Sequence, residues 1–122
     1  MKIRIKGNSI RIRITKSEVS HFCNVGFVEE KTNFNTAVFT YAISKEEGLE
    51  SFVATFLENT ITFKLPEKMV MNWDTNEKVG FQSEMTLHNG EKLSLLLEKD
   101  FTCLENREED QSDNYPNPKL IE

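Results

Sequence analysis

The sequence has no acidic residue before Glu18, although its 122 residues carry a net charge of −5 at pH 7. It also lacks an uninterrupted apolar stretch long enough to cross a membrane, and its first residues alternate instead of forming the apolar part of a signal peptide. An acidic chain is unlike a general nucleic-acid binder, which is basic throughout. The uneven placement of charge is therefore more informative than the sum.

Cysteine is scarce as well. Cys23 and Cys103 stand in no spacing typical of a metal site, and His21 beside Cys23 cannot complete a zinc site. The sequence contains no Walker loop, dinucleotide-binding fingerprint or Ser-His-Asp arrangement. We therefore expect a non-enzymatic protein of the reducing cytoplasm, with no catalytic residue, no metal and no cofactor.

Residues 2–14 predict a β-hairpin. Isoleucines at every second position on both sides of Gly7-Asn8 have the period of half-buried strands. Gly7-Asn8 is a two-residue turn signal, because both residue types tolerate positive φ. This turn places Ile5 opposite Ile10 and Ile3 opposite Ile12, so that all the isoleucines share one face.

An internal repeat follows from comparing the two halves of the chain. NSIRIRITKSEVSHF at 8–22 resembles NTITFKLPEKMVMNW at 59–73, and Val-Gly-Phe at 25–27 recurs at 79–81. Thr15 and Glu18 form a capping box before a helix in the first copy, and Pro66 suits the first helical position in the second. Hairpins at 25–43 and 79–98 end the copies, so each copy is predicted to be ββαββ.

We predict a β-rich α+β fold in which the two ββαββ repeats form a pseudo-two-fold swapped-hairpin β-barrel with two short helices. Residues 1–99 form a single domain, with repeat one at 1–43, a linker at 44–50 and repeat two at 51–99. Residues 100–122 form an acidic tail that is either docked or disordered. We expect Val19, Phe22, Val70 and Trp73 to pack inward from the helices.

KGNSIRIRITKSEV and KLPEKMVMNWDTNEKVGFQSEMTLHNGEKLSLLLEKD resemble the AbrB/MazE group of swapped-hairpin domains over residues 1–99. The resemblance implies DNA binding by the basic N-terminal strands and their turn. Carried over to this sequence, it implies contacts from Lys6, Asn8, Ser9, Arg11 and Arg13. The ends MKIRIKGNS and EDQSDNYPNP also resemble those of an uncharacterised bacterial family.

The second copy departs from this pattern. Its matching positions are Leu57, Asn59, Thr60, Thr62 and Lys64, so one half of the expected basic surface is missing. A single basic half-site would hold only a few phosphates.

The register also predicts that the cations of the first hairpin share its outer face: Lys2, Arg4, Lys6, Arg11 and Arg13. Because like charges on paired strands repel, something should neutralise them. Three interpretations stay open. The acidic segment 105–110 could lie across this face, an external anion could bind there, or the cations could simply guard an exposed strand from aggregation.

The function expected from these patterns is a DNA-binding or antitoxin-like module that acts through the basic hairpin, with Lys2 and Arg4 contributing. The alternative is a protein–protein adaptor that acts through its acidic tail, with the hairpin holding that tail. Antitoxins that resemble this pattern bind toxins through such a tail, which implies contacts by Glu108, Glu109, Asp110 and Tyr115. We expect a monomer with an internal pseudo-dimer or a homodimer, and no membrane partner.

Overall fold

The structure is a computed structural model that describes residues 1–101 and 113–115. In this part of the chain the elements are, in order, β1 (Lys2–Lys6), β2 (Ser9–Ile14), α1 (Lys16–Val25), β3 (Phe27–Asn33), β4 (Val38–Glu46), β5 (Val53–Leu57), β6 (Thr60–Pro66), β7 (Gly80–Thr86) and β8 (Lys92–Lys99). The strands form two four-stranded sheets, in the orders β1-β2-β8-β7 and β3-β4-β6-β5.

The predicted hairpin registers are confirmed. Ile5 lies opposite Ile10 across the first turn, and Phe56 lies opposite Ile61 across the equivalent turn in the second half. The two-residue turns are possible because Gly7, and both residues of Glu58-Asn59, adopt positive φ. The alternation of apolar and polar residues along each strand therefore determines which face of each hairpin is buried.

Each sheet combines one hairpin from each half of the chain. The contacts that join them are parallel, between β2 and β8 in one sheet and between β4 and β6 in the other. The inward faces of both sheets belong to one core, with Trp73 fully buried. The Trp73 ring meets Phe22 edge to face at 6.4 Å and Phe81 at 4.9 Å. The expected inward packing of Val19, Phe22, Val70 and Trp73 is confirmed.

The predicted closed barrel is wrong. Two separate sheets form, and among the described residues β1 and β7 are the outer strands of one and β3 and β5 those of the other. The outer strands therefore have backbone N–H and C=O groups that form no hydrogen bond with another strand of the described chain.

The prediction of two ββαββ repeats is also wrong, because α1 is the one helix among the described residues. The capping box of Thr15 and Glu18 is present at its start. In the second half, Pro66 ends β6 and residues 67–76 form successive turns. Asn72 has a φ of 61°, which a right-handed helix cannot contain, and Trp73 N bonds Val70 O in a four-residue turn. Burial of Val70 and Trp73 is thus achieved without a helix.

Gly80 provides a test of how closely β7 and β8 approach. A Cβ at this position would overlap the carbonyl oxygen of Leu97 and lie 2.8 Å from Glu98 Cα. Because these are backbone atoms that cannot move aside, we expect Gly80→Ala to lower the free energy of unfolding by about 2–3 kcal/mol.

Gly7→Ala is the matched control. Its φ of 54° strains any other residue, but nothing lies within 4 Å of the added methyl group. We expect it to cost about 1 kcal/mol. Urea denaturation monitored by Trp73 fluorescence measures both values, and equal losses would contradict the close approach.

Candidate anion-binding surface

Five basic side chains lie together on the outer face of the β1–β2 hairpin, and we call them the cationic face: Lys2, Arg4, Lys6, Arg11 and Arg13. Their common orientation follows from the register, because the alternating residues Ile12 and Ile14 are fully buried. Arg4 lies directly opposite Arg11 on the neighbouring strand, as the sequence predicted. Like charges therefore face each other across the hairpin.

Glu98 on β8 neutralises part of this charge. β8 runs parallel to β2 and places Glu98 beside Arg13. Arg13 Nε donates a 3.0 Å hydrogen bond to Glu98 Oε1, and Arg11 Nη1 lies 3.9 Å from the same oxygen. Charge-assisted bonds of this type fix side-chain geometry as well as adding energy.

Asp100 is the second carboxylate that approaches the cationic face. Its Oδ2 lies 3.3 Å from Lys2 Nζ, and the residue is only 5% exposed. Its backbone N–H donates to Ile14 O at 2.9 Å, which continues the contact between β2 and β8 past the end of the strand. Lys2 and Arg13 are thus both paired at the end of the hairpin that leads into α1.

Sequence reasoning missed Glu98 and Asp100. It named residues 105–110, which lie outside the described residues, as one of three ways in which the cations could be accommodated. The signal was present as two acids at the end of LSLLLEKD. It could not be interpreted, because the sequence does not say that β8 lies beside β2.

The other end of the cationic face is different. Among the described residues, no carboxylate lies within ion-pair distance of Arg4 or Lys6. These two cations line an open groove of about 200 Å³ with Ser9, Arg11 and Leu96. Burial lowers the pKa of Arg11, and the charges of Arg13 and Arg4 lower it further while Glu98 opposes them. An anion in the groove would relieve this repulsion.

Asn8 and Ser9, at the turn of the first hairpin, have different roles: Asn8 forms hydrogen bonds to the neighbouring strand and Ser9 lines the groove. The Asn8 side-chain amide donates to Lys92 O at 3.1 Å, and the Asn8 backbone carbonyl oxygen accepts from Ser94 N at 2.9 Å. Asn8 thereby ties the first hairpin to the start of β8. Ser9 lines the groove and leaves its hydroxyl on the same side as Arg11.

A wider groove continues from Ser9 across the outer face of the same sheet. It has a volume of about 540 Å³ and passes over β8 and β7, where Ser94, Gln82 and Leu96 line it. The lining is uncharged apart from Glu84. The surface next to the cationic face is therefore open and mostly neutral, which suits an extended ligand better than an enclosed small molecule.

The matching surface of the second half carries little charge. Thr60 and Thr62 occupy the positions of Ser9 and Arg11, and Lys64 is the one cation on the described outer face of β6. Leu57, which matches Lys6, is 70% exposed. The asymmetry expected from the sequence is present in the folded chain.

Asp113 contacts the N-terminus of α1, although the two are far apart in the sequence. Its carbonyl oxygen accepts from Lys16 N at 2.9 Å, its Oδ1 accepts from Ser17 N at 3.1 Å, and its Oδ2 accepts from Ser17 Oγ at 2.6 Å. The hydrogen bonds from Ser17, followed by one from Thr15, lower the pKa of Asp113. The carboxylate thus satisfies N–H groups that the first turn of a helix leaves open.

Tyr115, predicted to contact a partner, packs on its own domain. Its N–H donates to Asp100 O at 2.7 Å, and its ring lies 5.8 Å from Phe101. Lys99 Nζ lies 4.8 Å from the Tyr115 ring and 5.7 Å from the Trp73 ring. The other predicted tail contacts, Glu108, Glu109 and Asp110, lie outside the described residues.

The described residues contain no group of three side chains suited to hold a metal ion. Glu30 lies on β3 opposite Tyr41, whereas Glu84 lies on β7 of the other sheet, opposite Ser94. These two carboxylates, which hold equivalent positions in the internal repeat, therefore lie on different sheets. His21 and His88 are both exposed. Burial raises the pKa of the Cys23 thiol, which is opposite to the lowered pKa that a reactive cysteine needs.

Residues 1–119 match the model of a family described as a family of unknown function (DUF7009). Comparison with curated proteins and with solved structures finds no match to either. Within residues 1–101 and 113–115, no helix combines the length and apolar character needed to span a bilayer.

The contact between Asp113 and α1 predicts a pH-dependent loss of stability. Because the folded-state pKa is lowered, the carboxylate stabilises the fold above its ordinary pKa of about 3.9, and this contribution disappears as the pH falls further. We expect Asp113→Asn to lower the free energy of unfolding by about 0.5–1 kcal/mol at pH 7.

Urea denaturation at pH 7 and at about pH 3 tests this, since the difference between the two proteins should shrink at the lower pH. Glu91→Gln removes an exposed carboxylate in the β7–β8 turn and is the control. A penalty for Asp113→Asn that is unchanged at low pH would contradict the assigned role.

Proposed function

We propose that this chain, which belongs to the DUF7009 family, is a non-enzymatic protein that binds duplex DNA through the cationic face. The observation that carries the proposal is the groove formed by Arg4, Lys6 and Arg11, where Ser9 adds a hydroxyl. Within the described chain, the nearest carboxylate to these cations is Glu98, at 3.9 Å from Arg11. Three cations with so little counter-charge are available to bind an anion from outside.

The dimensions of the cationic face suit a DNA backbone. Lys2 and Lys6 are four residues apart on an extended strand, which corresponds to about 13 Å. Each strand of DNA presents one phosphate per roughly 3.4 Å of helix axis, so a face of this length spans several phosphates. β1 and β2 are the outermost pair of strands of their sheet, so the cationic face lies at the sheet edge.

The net charge of −5 shapes the expected binding. Long-range attraction to DNA is weak for an acidic protein, so affinity would come from short-range phosphate contacts and fall steeply with salt. The weakly charged second half limits the contact to one half-site. A cytoplasmic location is part of the proposal, and the free thiol of Cys23 accords with it.

An adaptor that acts through the acidic tail is the second proposal. One observation bears on it: Tyr115 bonds Asp100 and packs on Phe101, so the residues on either side of segment 102–112 are attached to the domain. A partner would then contact the acidic residues Glu108, Glu109 and Asp110, and Tyr115 would serve as a fixed anchor.

The salt dependence of DNA binding tests the first proposal. With about three phosphates neutralised, the logarithm of the association constant should fall with the logarithm of salt concentration at a slope of about −3. Arg4→Gln combined with Arg11→Gln should reduce the slope to about −1, because two phosphate contacts are lost. Fluorescence anisotropy with a labelled duplex measures both slopes.

Two further variants complete this test. Lys31→Gln with Lys64→Gln removes the same charge from the outer face of the other sheet, and the slope should stay at that of the parent. Glu98→Gln releases Arg13 and Arg11 and should strengthen binding about tenfold, equivalent to about 1.4 kcal/mol.

Neutralising the acidic tail separates the two proposals in the full-length chain. If the tail occupies the cationic face, the triple variant Glu108→Gln, Glu109→Gln, Asp110→Asn should bind DNA more tightly than the parent. No DNA binding by either protein at low salt would reject the DNA proposal and leave the adaptor.

A further inference from the structure

The four edge strands of the two sheets differ in how they are protected from pairing with another chain. β1 carries Lys2, Arg4 and Lys6, β3 carries two glutamates and a lysine, and β7 carries Glu84. β5, with the sequence VATFL, is the one edge strand in the described chain without a charged residue. Charged residues are the usual means of keeping an edge unpaired, so β5 is the unprotected edge.

β5 also exposes two large apolar side chains. Phe56 is 66% exposed and Leu57 is 70% exposed, among the highest values for large apolar residues in the described chain. They point to opposite faces of the sheet, since Phe56 shares a face with buried Ile61 and Leu57 with Thr60. An exposed apolar residue on each face is what a neighbouring strand would cover.

The backbone of β5 has the orientation that pairing requires. In a two-residue hairpin the residues next to the turn, Leu57 and Thr60, exchange hydrogen bonds, so the N–H and C=O groups of Ala54 and Phe56 point away from β6. The Ala54 N–H accordingly bonds Met85 Sδ at 3.2 Å. A thioether is a weak acceptor, and a backbone carbonyl would replace it readily.

We propose that β5 pairs antiparallel with β5 of a second copy of this chain, about a two-fold axis at Thr55, to form one continuous eight-stranded sheet. In this register Ala54 and Phe56 of the two copies exchange backbone hydrogen bonds on both sides of the axis. Phe56 then lies beside the small Ala54 on one face, and Leu57 lies beside Val53 on the other. A two-fold interface must be complementary to itself, and this strand pairs large residues with small ones.

Charge favours a second copy at this edge and at this register. Self-pairing of β1 about its centre would place Arg4 against Arg4, and self-pairing of β3 would place Glu30 against Glu30. About Thr55, the flanking acids Glu50 and Glu58 approach Thr60 and Phe52 instead of each other. Moving the axis by one residue to Ala54 would bring Glu50 opposite Glu58, so the register is specified.

Sedimentation velocity of the full-length chain tests the pairing. The parent should change from monomer to dimer between about 1 and 300 μM, the range in which small interfaces dissociate. Thr55→Lys places two positive charges at the axis and should leave a monomer throughout. Thr62→Lys adds the same charge on the same sheet face, one strand further in, and should dimerise like the parent.

A mixture of Thr55→Lys and Thr55→Glu chains tests whether loss of the dimer comes from charge repulsion or from a folding defect. Opposite charges at the axis attract, so the mixture should form a dimer that neither variant forms alone. Hydrogen exchange adds a local readout, because the Phe56 amide should become protected as concentration rises, while the Thr55 amide, bonded to β6, is protected at every concentration. A parent that stays monomeric, or a Thr55→Lys chain that dimerises normally, would overturn the proposal.

Discussion

The parallel contacts of β2 with β8 and of β4 with β6 hold this fold together. An isolated two-stranded hairpin is marginal in water, and each sheet here becomes stable by joining two hairpins that are distant in the chain. The same contact creates the candidate site. Because β8 lies beside β2, Leu96 forms part of the groove below Arg11, and Glu98 reaches Arg13.

The local parts of this arrangement could be predicted from the sequence, and the distant contacts could not. The alternating isoleucines and the Gly7-Asn8 turn predict both the strand register and the buried face of the first hairpin. They can do so because the spacing of apolar residues and the geometry of a turn depend only on residues close together in the sequence. The positions of Glu98 and Asp113 depend on pairing across most of the chain, for which the sequence has no local signal. The prediction of a second helix that begins at Pro66 failed for a related reason, since Trp73 can be buried by turns as well as by a helix.

In both halves of the chain a lysine side chain donates a hydrogen bond to a backbone carbonyl oxygen, although the local structures differ. Lys45 Nζ donates to Cys23 O near the end of α1, and Lys99 Nζ donates to Asn76 O at the end of the 67–76 turns, both at 2.8 Å. Both lysines lie near the ends of the strands that form the parallel contacts, β4 and β8. Burial lowers the pKa of Lys99, whose charge lies between the Trp73 and Tyr115 rings. This lysine contact does not require a helix, because it needs only a backbone carbonyl oxygen within hydrogen-bonding distance.

Protection of an edge strand explains only part of the cationic face. Lys2, Arg4 and Lys6 lie on β1, where charge prevents pairing with another chain. Arg11 and Arg13 lie on β2, which already has a strand on each side and needs no such protection. Placing Arg11 opposite Arg4 costs stability, and Glu98 offsets that cost only in part. Protection of the edge does not account for a second row of cations on an interior strand, and this row supports the proposal of an anion that spans both strands.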